Sequence, residues 1–198
     1  DPGIQDLQTN PLGNGFAFGE HYILDRTSPV AETVSIVTPN PTRGSEVTFE
    51  VLFSEAVQHF DGEPDLIFTK TGSLAYTGVT VTEWPPQPAY RVQVSGVTGD
   101  GTITAAVNSA SDICDAVGNP LAAGTANAQV LVDHTAPLVT VTPQITPYST
   151  PVITGIADDG IGSGVQNVLV TVDGQTYTAT VDGILWNVAV TTPLANGT

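Results

Sequence analysis

The chain of 198 residues carries 20 Asp and Glu against four Lys and Arg, which gives a formal net charge of -16. This charge repels a phosphate backbone and excludes nucleic-acid binding. It does not indicate disorder, because 40% of the residues are hydrophobic and only 12% are charged, so that a core can form.

A long-period repeat divides the chain. The pentapeptide D-R-T-S-P at residues 25–29 returns 108 residues later as D-H-T-A-P at 133–137, and a D-x-x-x-N-P-L pattern at 6–12 returns at 115–121. A period of this length indicates whole domains in series rather than a solenoid. We predict the end of a preceding repeat in residues 1–25, with one strand near 17–24, a complete repeat in residues 26–133, and the truncated start of a following repeat in residues 134–198.

The complete repeat contains seven runs with the alternation and bounding turn residues of β-strands. They are residues 33–38, 47–53, 65–69, 74–83, 90–97, 102–108 and 127–132. Pro, Gly, Asn and Asp occupy the segments between them. Seven antiparallel strands in about 100 residues are typical of an immunoglobulin-like sandwich. The predicted fold class is therefore all-β, with tandem immunoglobulin-like antiparallel β-sandwiches.

The following repeat begins with predicted strands at 138–142, 151–157, 165–172, 175–181 and 184–192. Two Asp-Gly pairs, at 173–174 and 182–183, predict tight two-residue hairpins. Five strands leave one edge of this sandwich open, whereas residues 1–25 carry a spare strand. Head-to-tail strand exchange between molecules is therefore a further expectation.

Several motifs, in order along the chain, carry a family resemblance. They are T-P-N-P-T-R-G-S-E-V-T-F at 38–49, F-S-E-A-V at 53–57, V-S-G-V-T-G-D-G-T at 94–102, D-A-V-G-N-P-L at 115–121 and V-D-H-T-A-P at 132–137. Together they resemble the bacterial Ig-like repeats of giant surface adhesins, and residues 170–183 resemble a second subtype. The resemblance implies rigid spacer repeats of a secreted, cell-surface protein of biofilms or attachment, often stiffened by calcium between domains.

Loop positions predict where the acidic residues gather. In such a sandwich the loops after the second, fourth and sixth strands lie at the N-terminal pole, where the chain enters. With the linker at 25–29, this pole is predicted to hold six oxygen ligands: Asp25, Glu55, Asp61, Asp112, Asp115 and the amide of Asn119. Clustered carboxylates repel one another, and a hard divalent cation relieves that repulsion, so we predict bound calcium.

The second linker repeats the arrangement with Asp133, Asp158 and Asp159, and Asp100 is a further candidate from the opposite pole of the complete repeat. Proline stiffens both linkers, because it fixes its own torsion and restricts the residue before it. The alternative is that these acids only form turns and solvated loop ends, the usual role of loop Asp and Asn.

Catalytic motifs are absent from the sequence. The histidines His21, His59 and His134 lie in different segments, and no nucleophile elbow, zinc-protease motif or phosphate loop occurs. Cys114 is the only cysteine, which excludes an intrachain disulfide. No apolar run is long enough for a membrane span. The chain is predicted not to be an enzyme.

The predicted function is that of a structural extender repeat of an extracellular adhesin, with calcium-rigidified joints, neighbouring repeats as partners, and a glycan or other surface ligand as a further candidate partner. The alternative is a carbohydrate-binding accessory module of a secreted hydrolase. Trp84, beside a Pro-rich loop, is the candidate for sugar stacking, whereas Trp186 lies in an apolar strand and is more typical of a core.

Overall fold

The computed structural model describes residues 5, 7–10, 19, 22–86 and 88–196, and in these ranges the fold is all-β with antiparallel sheets. The strands are β1 (Ala31–Ile36), β2 (Glu46–Phe53), β3 (Leu66–Lys70), β4 (Gly78–Trp84), β5 (Ala89–Ser95), β6 (Gly101–Val107), β7 (Asn127–Val132), β8 (Leu138–Val141), β9 (Val152–Asp158), β10 (Leu169–Val172), β11 (Gln175–Thr178), β12 (Thr180–Asp182) and β13 (Leu185–Ala189). A single turn of 3-10 helix, Glu63–Asp65, precedes β3. Within the described ranges, no helix has the length and apolar character needed to cross a membrane.

Strands β1 to β7 form a first unit of two sheets. One sheet has the order β1-β2-β5-β4 and the other β3-β6-β7. In β2, alternate residues from Val47 to Phe53 are buried, so that burial fixes the register as the sequence predicts. The rings of Phe53, Phe60 and Tyr90 meet edge to face, with centroids 5.1 to 5.7 Å apart. These side chains belong to one continuous core between the two sheets.

All seven strands predicted for this unit are present. The largest difference is at β4, which begins at Gly78 instead of residue 74. The reason is that β3 and β4 belong to different sheets, so that the chain must cross between the sheets before β4 begins. Leu74 is buried in this crossing and Ala75 forms an isolated bridge with Thr98.

Strands β8 to β13 form a second unit with its own smaller core. Its larger sheet has the order β12-β13-β9-β8, and β10 and β11 form a hairpin. Trp186 is 2% exposed and lies against Gly155, where an added Cβ would come within 2.5 Å of the indole ring. Its ring N–H donates a hydrogen bond to the Thr140 carbonyl at 3.2 Å. Trp186 is therefore a core residue, as its apolar strand predicts.

The predicted strand at 175–181 is wrong as a single element. It divides at Ala179, because β11 pairs with β10 whereas β12 pairs with β13 in the larger sheet. Both predicted two-residue hairpins are present. The first turns at Asp173 and Gly174, both with positive φ, but the second turns at Gly183 and Ile184, one residue later than predicted.

The strand predicted near residues 17–24 lies largely outside the described residues. Of that range, residues 19 and 22–24 are described, and they do not form a strand. The spare N-terminal strand therefore stays a prediction.

Candidate metal centre

The linker before β1 is fastened to two loops at the N-terminal pole. The Ser54 N–H donates to the Val30 carbonyl at 2.9 Å, and the Val30 N–H donates to Ser54 Oγ at 3.0 Å. The Ala122 N–H donates to the carbonyl of Pro29, which is itself buried. These bonds hold Asp25, a few residues earlier, beside the loops that follow β2 and β6.

Three carboxylates from separate parts of the chain meet at this pole. Asp25 comes from the linker, Glu55 from the loop after β2, and Asp115 from the loop after β6, and one oxygen of each lies within 4.8 Å of the other two. Neither of the two ion pairs in the described residues, which join Arg91 to Glu50 and His59 to Asp112, involves this group. We refer to Asp25, Glu55 and Asp115 as the acidic cluster.

Asp115 is held rigidly by its own loop. Its Oδ1 accepts hydrogen bonds from the N–H groups of Val117 at 2.9 Å and Asn119 at 2.8 Å. The side-chain amide of Asn119 donates to Asp115 Oδ2 at 2.8 Å and to the Asp25 carbonyl at 3.3 Å. Asn119 was predicted as a ligand through its amide, and in the structure its amide N–H group ties the loop to the linker.

Asp115 is 2% exposed, yet its pKa lies below the usual value of a carboxyl group. Burial acts to raise its pKa, but hydrogen bonds from the Asn119 side chain and from the backbone of Asn119, Val117 and Gly118 outweigh burial and lower the pKa below its usual value. A buried anion is thus preserved next to two further carboxylates.

The acidic cluster offers the ligand chemistry of a hard cation. All three groups present oxygen atoms, which hard divalent cations prefer, and no thiolate or imidazole belongs to the group. One oxygen of Asp25 accepts the Thr27 N–H at 2.9 Å, an Asx turn that leaves its second oxygen for other contacts. The cluster can hold a metal ion.

Asp61 and Asp112, also predicted at this pole, do not belong to the acidic cluster. Asp112 is 81% exposed and its carboxylate lies 4.0 Å from His59 Nδ1. The Asp61 N–H donates to Asp65 Oδ2 at 3.0 Å, in a turn before β3. A loop can bring its backbone to a pole without directing every side chain toward the same point.

The second linker lies between the two units and is held by two acidic side chains. Asp133 accepts the Thr135 N–H at 3.2 Å, the same Asx turn as in the first linker, and the Ser163 N–H at 2.7 Å. Asp100, from the loop before β6, accepts the His134 N–H at 2.6 Å and the Thr135 hydroxyl. Bonds to the Thr135 hydroxyl and the His134 N–H lower the pKa of Asp100, and bonds to Ser163 lower the pKa of Asp133.

Asp159 lies beside Asp133 at this second linker. A Cβ added to Gly162 would lie 2.5 Å from Asp159 Oδ2 and 2.8 Å from Asp133 Oδ2, so both carboxylates flank this glycine. Asp159 Oδ2 accepts the Gly164 N–H at 2.7 Å, whereas its Oδ1 is buried without a hydrogen-bond partner. Asp158 is engaged in its own turn with Gly160. Within the described ranges, no three-ligand group comparable to the acidic cluster forms here.

Two features of these sites were not predicted from the sequence. The G-I-G-S-G run at 160–164 lacks a phosphate-loop lysine, but its backbone N–H groups bind the carboxylates of the linker and of the preceding Asp-Asp pair. Glycines directly after two acids are the signal for this role. The second feature is a contact of 3.9 Å between Cys114 Sγ and His59 Nδ1, which a separation of 55 residues conceals.

Trp84 is 48% exposed at the end of β4. The guanidinium of Arg91 lies 4.4 Å from the centre of its ring, and Arg91 also pairs with Glu50 at 3.0 Å. One side of the indole is therefore already used by a cation–π contact.

Comparison with protein-family models, with curated proteins and with solved structures found no match to this chain.

Proposed function

We propose that this chain is a structural extender segment of an extracellular adhesin-like repeat protein, in which calcium at the acidic cluster locks the linker to the sandwich that follows it. The observation that carries the proposal is the convergence of Asp25, Glu55 and Asp115 from a linker and two loops within 4.8 Å. A cation at this point bonds the linker to both loops at once.

The arrangement of strands supports an immunoglobulin-like unit. The orders β1-β2-β5-β4 and β3-β6-β7 correspond to the ABED and CFG sheets of constant-type domains. In the second unit, β8-β9-β13-β12 repeats the first of these orders. Two units of related topology joined by a short, hydrogen-bonded linker suit a spacer, whose function is to hold its ends apart.

Calcium is the cation proposed because it accepts six to eight oxygen ligands in flexible geometry. The acidic cluster supplies carboxylate oxygens, and the Asp25 carbonyl lies close by, bonded to Asn119. Magnesium demands a nearly ideal octahedron and retains its water. At the second linker, the unpartnered buried Oδ1 of Asp159 beside Asp133 is the position where a second ion would be expected.

Small-angle X-ray scattering, recorded in calcium and in chelator, tests the mechanical role. An extender with calcium-dependent joints has a longer maximum dimension in calcium and shortens or bends in chelator. Identical scattering curves in the two buffers, for protein whose calcium state is known, would contradict the proposal.

The carbohydrate-binding alternative depends on Trp84. Its half-exposed ring is available to stack on a sugar only on the side that Arg91 does not occupy. A glycan array, repeated with Trp84→Ala, separates the alternatives: saturable binding that is lost in the variant favours a carbohydrate-binding module, and no binding favours the spacer.

A further inference from the structure

Strand β4 is an open edge of the first unit. Among the described strands it pairs only with β5, so that the other side of its backbone has no strand beside it. It runs for seven residues, from Gly78 to Trp84, and contains neither Pro nor Lys, two residues that commonly protect a sheet edge. A long edge without this protection is a surface that accepts an added strand.

The other edges of the first unit are covered or short. Strands β1 and β7 contact each other on one side of the sandwich. At β7 the Asn40 side chain imitates a strand, because its Oδ1 accepts the Leu131 N–H at 2.9 Å and its Nδ2 donates to the Gln129 carbonyl at 3.3 Å. Strand β3 has only five residues and ends at Lys70. Strand β4 is therefore the edge of this unit best suited to pairing.

A cleft lies beside the C-terminal half of β4. Val81 lies opposite Val92 of β5, and Glu83 lies opposite Tyr90, and both of these partners are buried in the core. Since directly opposed side chains of an antiparallel pair share a face, Val81 and Glu83 lie on the inner face of β4. They line a cleft of about 310 Å³ whose other wall is residues 57–61. An inward side chain of an added strand would lie next to this cleft.

The cleft combines apolar walls with negative charge. Val57, Phe60 and Val81 supply apolar surface, whereas Asp61 and Glu83 are exposed carboxylates. Of the described residues that line the cleft, none is Lys or Arg. In the part of the chain that the structure describes, neither carboxylate belongs to an ion pair.

The other polar side chains of the cleft have partners within the protein. The Tyr90 hydroxyl donates to the Val57 carbonyl at 3.0 Å, and His59 Nδ1 lies 4.0 Å from the Asp112 carboxylate. Burial raises the pKa of Tyr90, and the nearby Glu83 carboxylate raises it further. The cleft therefore favours a cationic group on an apolar stem, which is the chemistry of a Lys or Arg side chain.

We propose that β4 binds an extended segment of a partner protein as an added strand, and that a Lys or Arg side chain of this segment enters the cleft beside Asp61 and Glu83. Main-chain hydrogen bonds to the open edge provide the attachment, and the cleft selects the cationic side chain. The net charge of -16 attracts a cationic segment from a distance. This binding role goes beyond the spacer function and does not depend on calcium at the acidic cluster.

Two synthetic peptides test the proposal by nuclear magnetic resonance of the isotope-labelled protein in chelator. The first is Thr-Val-Thr-Lys-Thr-Val-Thr, which places the lysine and both valines on one face of a strand, and in the second norleucine replaces the lysine. The lysine peptide is expected to shift the amide signals of β4 and of residues 57–61 until saturation. The norleucine peptide is expected to bind about tenfold more weakly, because two exposed ion pairs are lost. Amide exchange in β4 is expected to slow on binding, since an added strand protects the open edge.

Variants of the two carboxylates test the role of the cleft. Glu83→Gln and Asp61→Asn are each expected to weaken binding of the lysine peptide and to leave binding of the norleucine peptide unchanged. Glu32→Gln, in β1 at the opposite edge of the same sheet, is the matched control. All three side chains are exposed, and circular dichroism confirms folding.

Four results overturn the proposal. They are no saturable binding of the lysine peptide, equal affinity for the two peptides, binding to both carboxylate variants as strong as to Glu32→Gln, and binding that does not slow amide exchange in β4. The last result indicates attraction between charges without strand pairing.

Discussion

The variant Glu55→Gln distinguishes two properties of the acidic cluster: the repulsion between its carboxylates and the capacity of the cluster to bind calcium. The change removes one of three charges that approach within 4.8 Å, and no hydrogen bond to the Glu55 side chain is found in the described residues. Each pair of charges at that distance repels by about 1 kcal/mol at the dielectric constant of water. In chelator the variant is therefore expected to be more stable than wild type by about 1 kcal/mol or more, or about 4–8 °C in melting temperature for a unit of this size.

In calcium the expected effect is opposite. At a calcium concentration 100 times the dissociation constant, binding stabilises the wild-type fold by about 2.7 kcal/mol. Each tenfold loss of affinity removes about 1.4 kcal/mol of that stabilisation. The increase in melting temperature caused by calcium is therefore expected to fall by about half or more in Glu55→Gln.

Differential scanning calorimetry in chelator and in calcium measures both effects. Glu32→Gln, on the exposed side of β1, changes the net charge equally and is expected to leave the calcium-induced increase as in wild type. If Glu55→Gln is no more stable than wild type in chelator and shows the same increase in calcium, Glu55 neither repels the other two carboxylates nor binds calcium.

Three further predictions concern the second linker, the second core and acid stability. Gly162→Ala places a Cβ within 2.8 Å of two carboxylate oxygens and is expected to destabilise the second unit by about 1–3 kcal/mol. Urea unfolding measures this loss of stability. Gly124→Ala, whose Cβ has a normal contact at 3.7 Å, is the control. Trp186→Ala is expected to lower the stability of the second unit by about 3–5 kcal/mol and to unfold that unit alone, since each unit has its own core. Calorimetry of Trp84→Ala, a change on the surface, is expected to show two unfolding transitions, one for each unit. The stability of the fold is expected to be constant above about pH 4 and to fall as the pH falls through the lowered pKa values of the folded state. The reason is that carboxyl groups with a lowered pKa stabilise the fold only while they are ionised. Melting curves from pH 6 to pH 2 measure this effect, and unchanged stability at pH 2 contradicts it. The groups with lowered pKa are Asp100, Asp115 and Asp133.

The strands of the first unit are predictable because burial imposes a period of two on the sequence. From Val47 to Phe53, every second side chain is buried, and the turns between strands contain Pro, Gly, Asn or Asp. At Ala179, by contrast, two short strands of different sheets join without a turn signal, so the sequence pattern does not separate them. Alternation indicates a strand but does not identify the sheet to which it belongs.

The candidate site was predictable at the level of loops but not of side chains. Sandwich topology correctly brings together the linker and the loops after β2 and β6, and with them Asp25, Glu55 and Asp115. Asp112, only three residues before Asp115, instead lies near His59. What separates the two is the bonding of Asp115 within its own loop, to Val117 and Asn119. Such local bonds direct a side chain and do not follow from loop position.

Calorimetric titration of calcium into chelator-treated protein tests the central claim most directly. We predict saturable binding at the acidic cluster, together with a higher melting temperature in calcium, and Asp115→Asn is expected to weaken the binding. No heat of binding, with a melting temperature that is the same in calcium and in chelator, would contradict it.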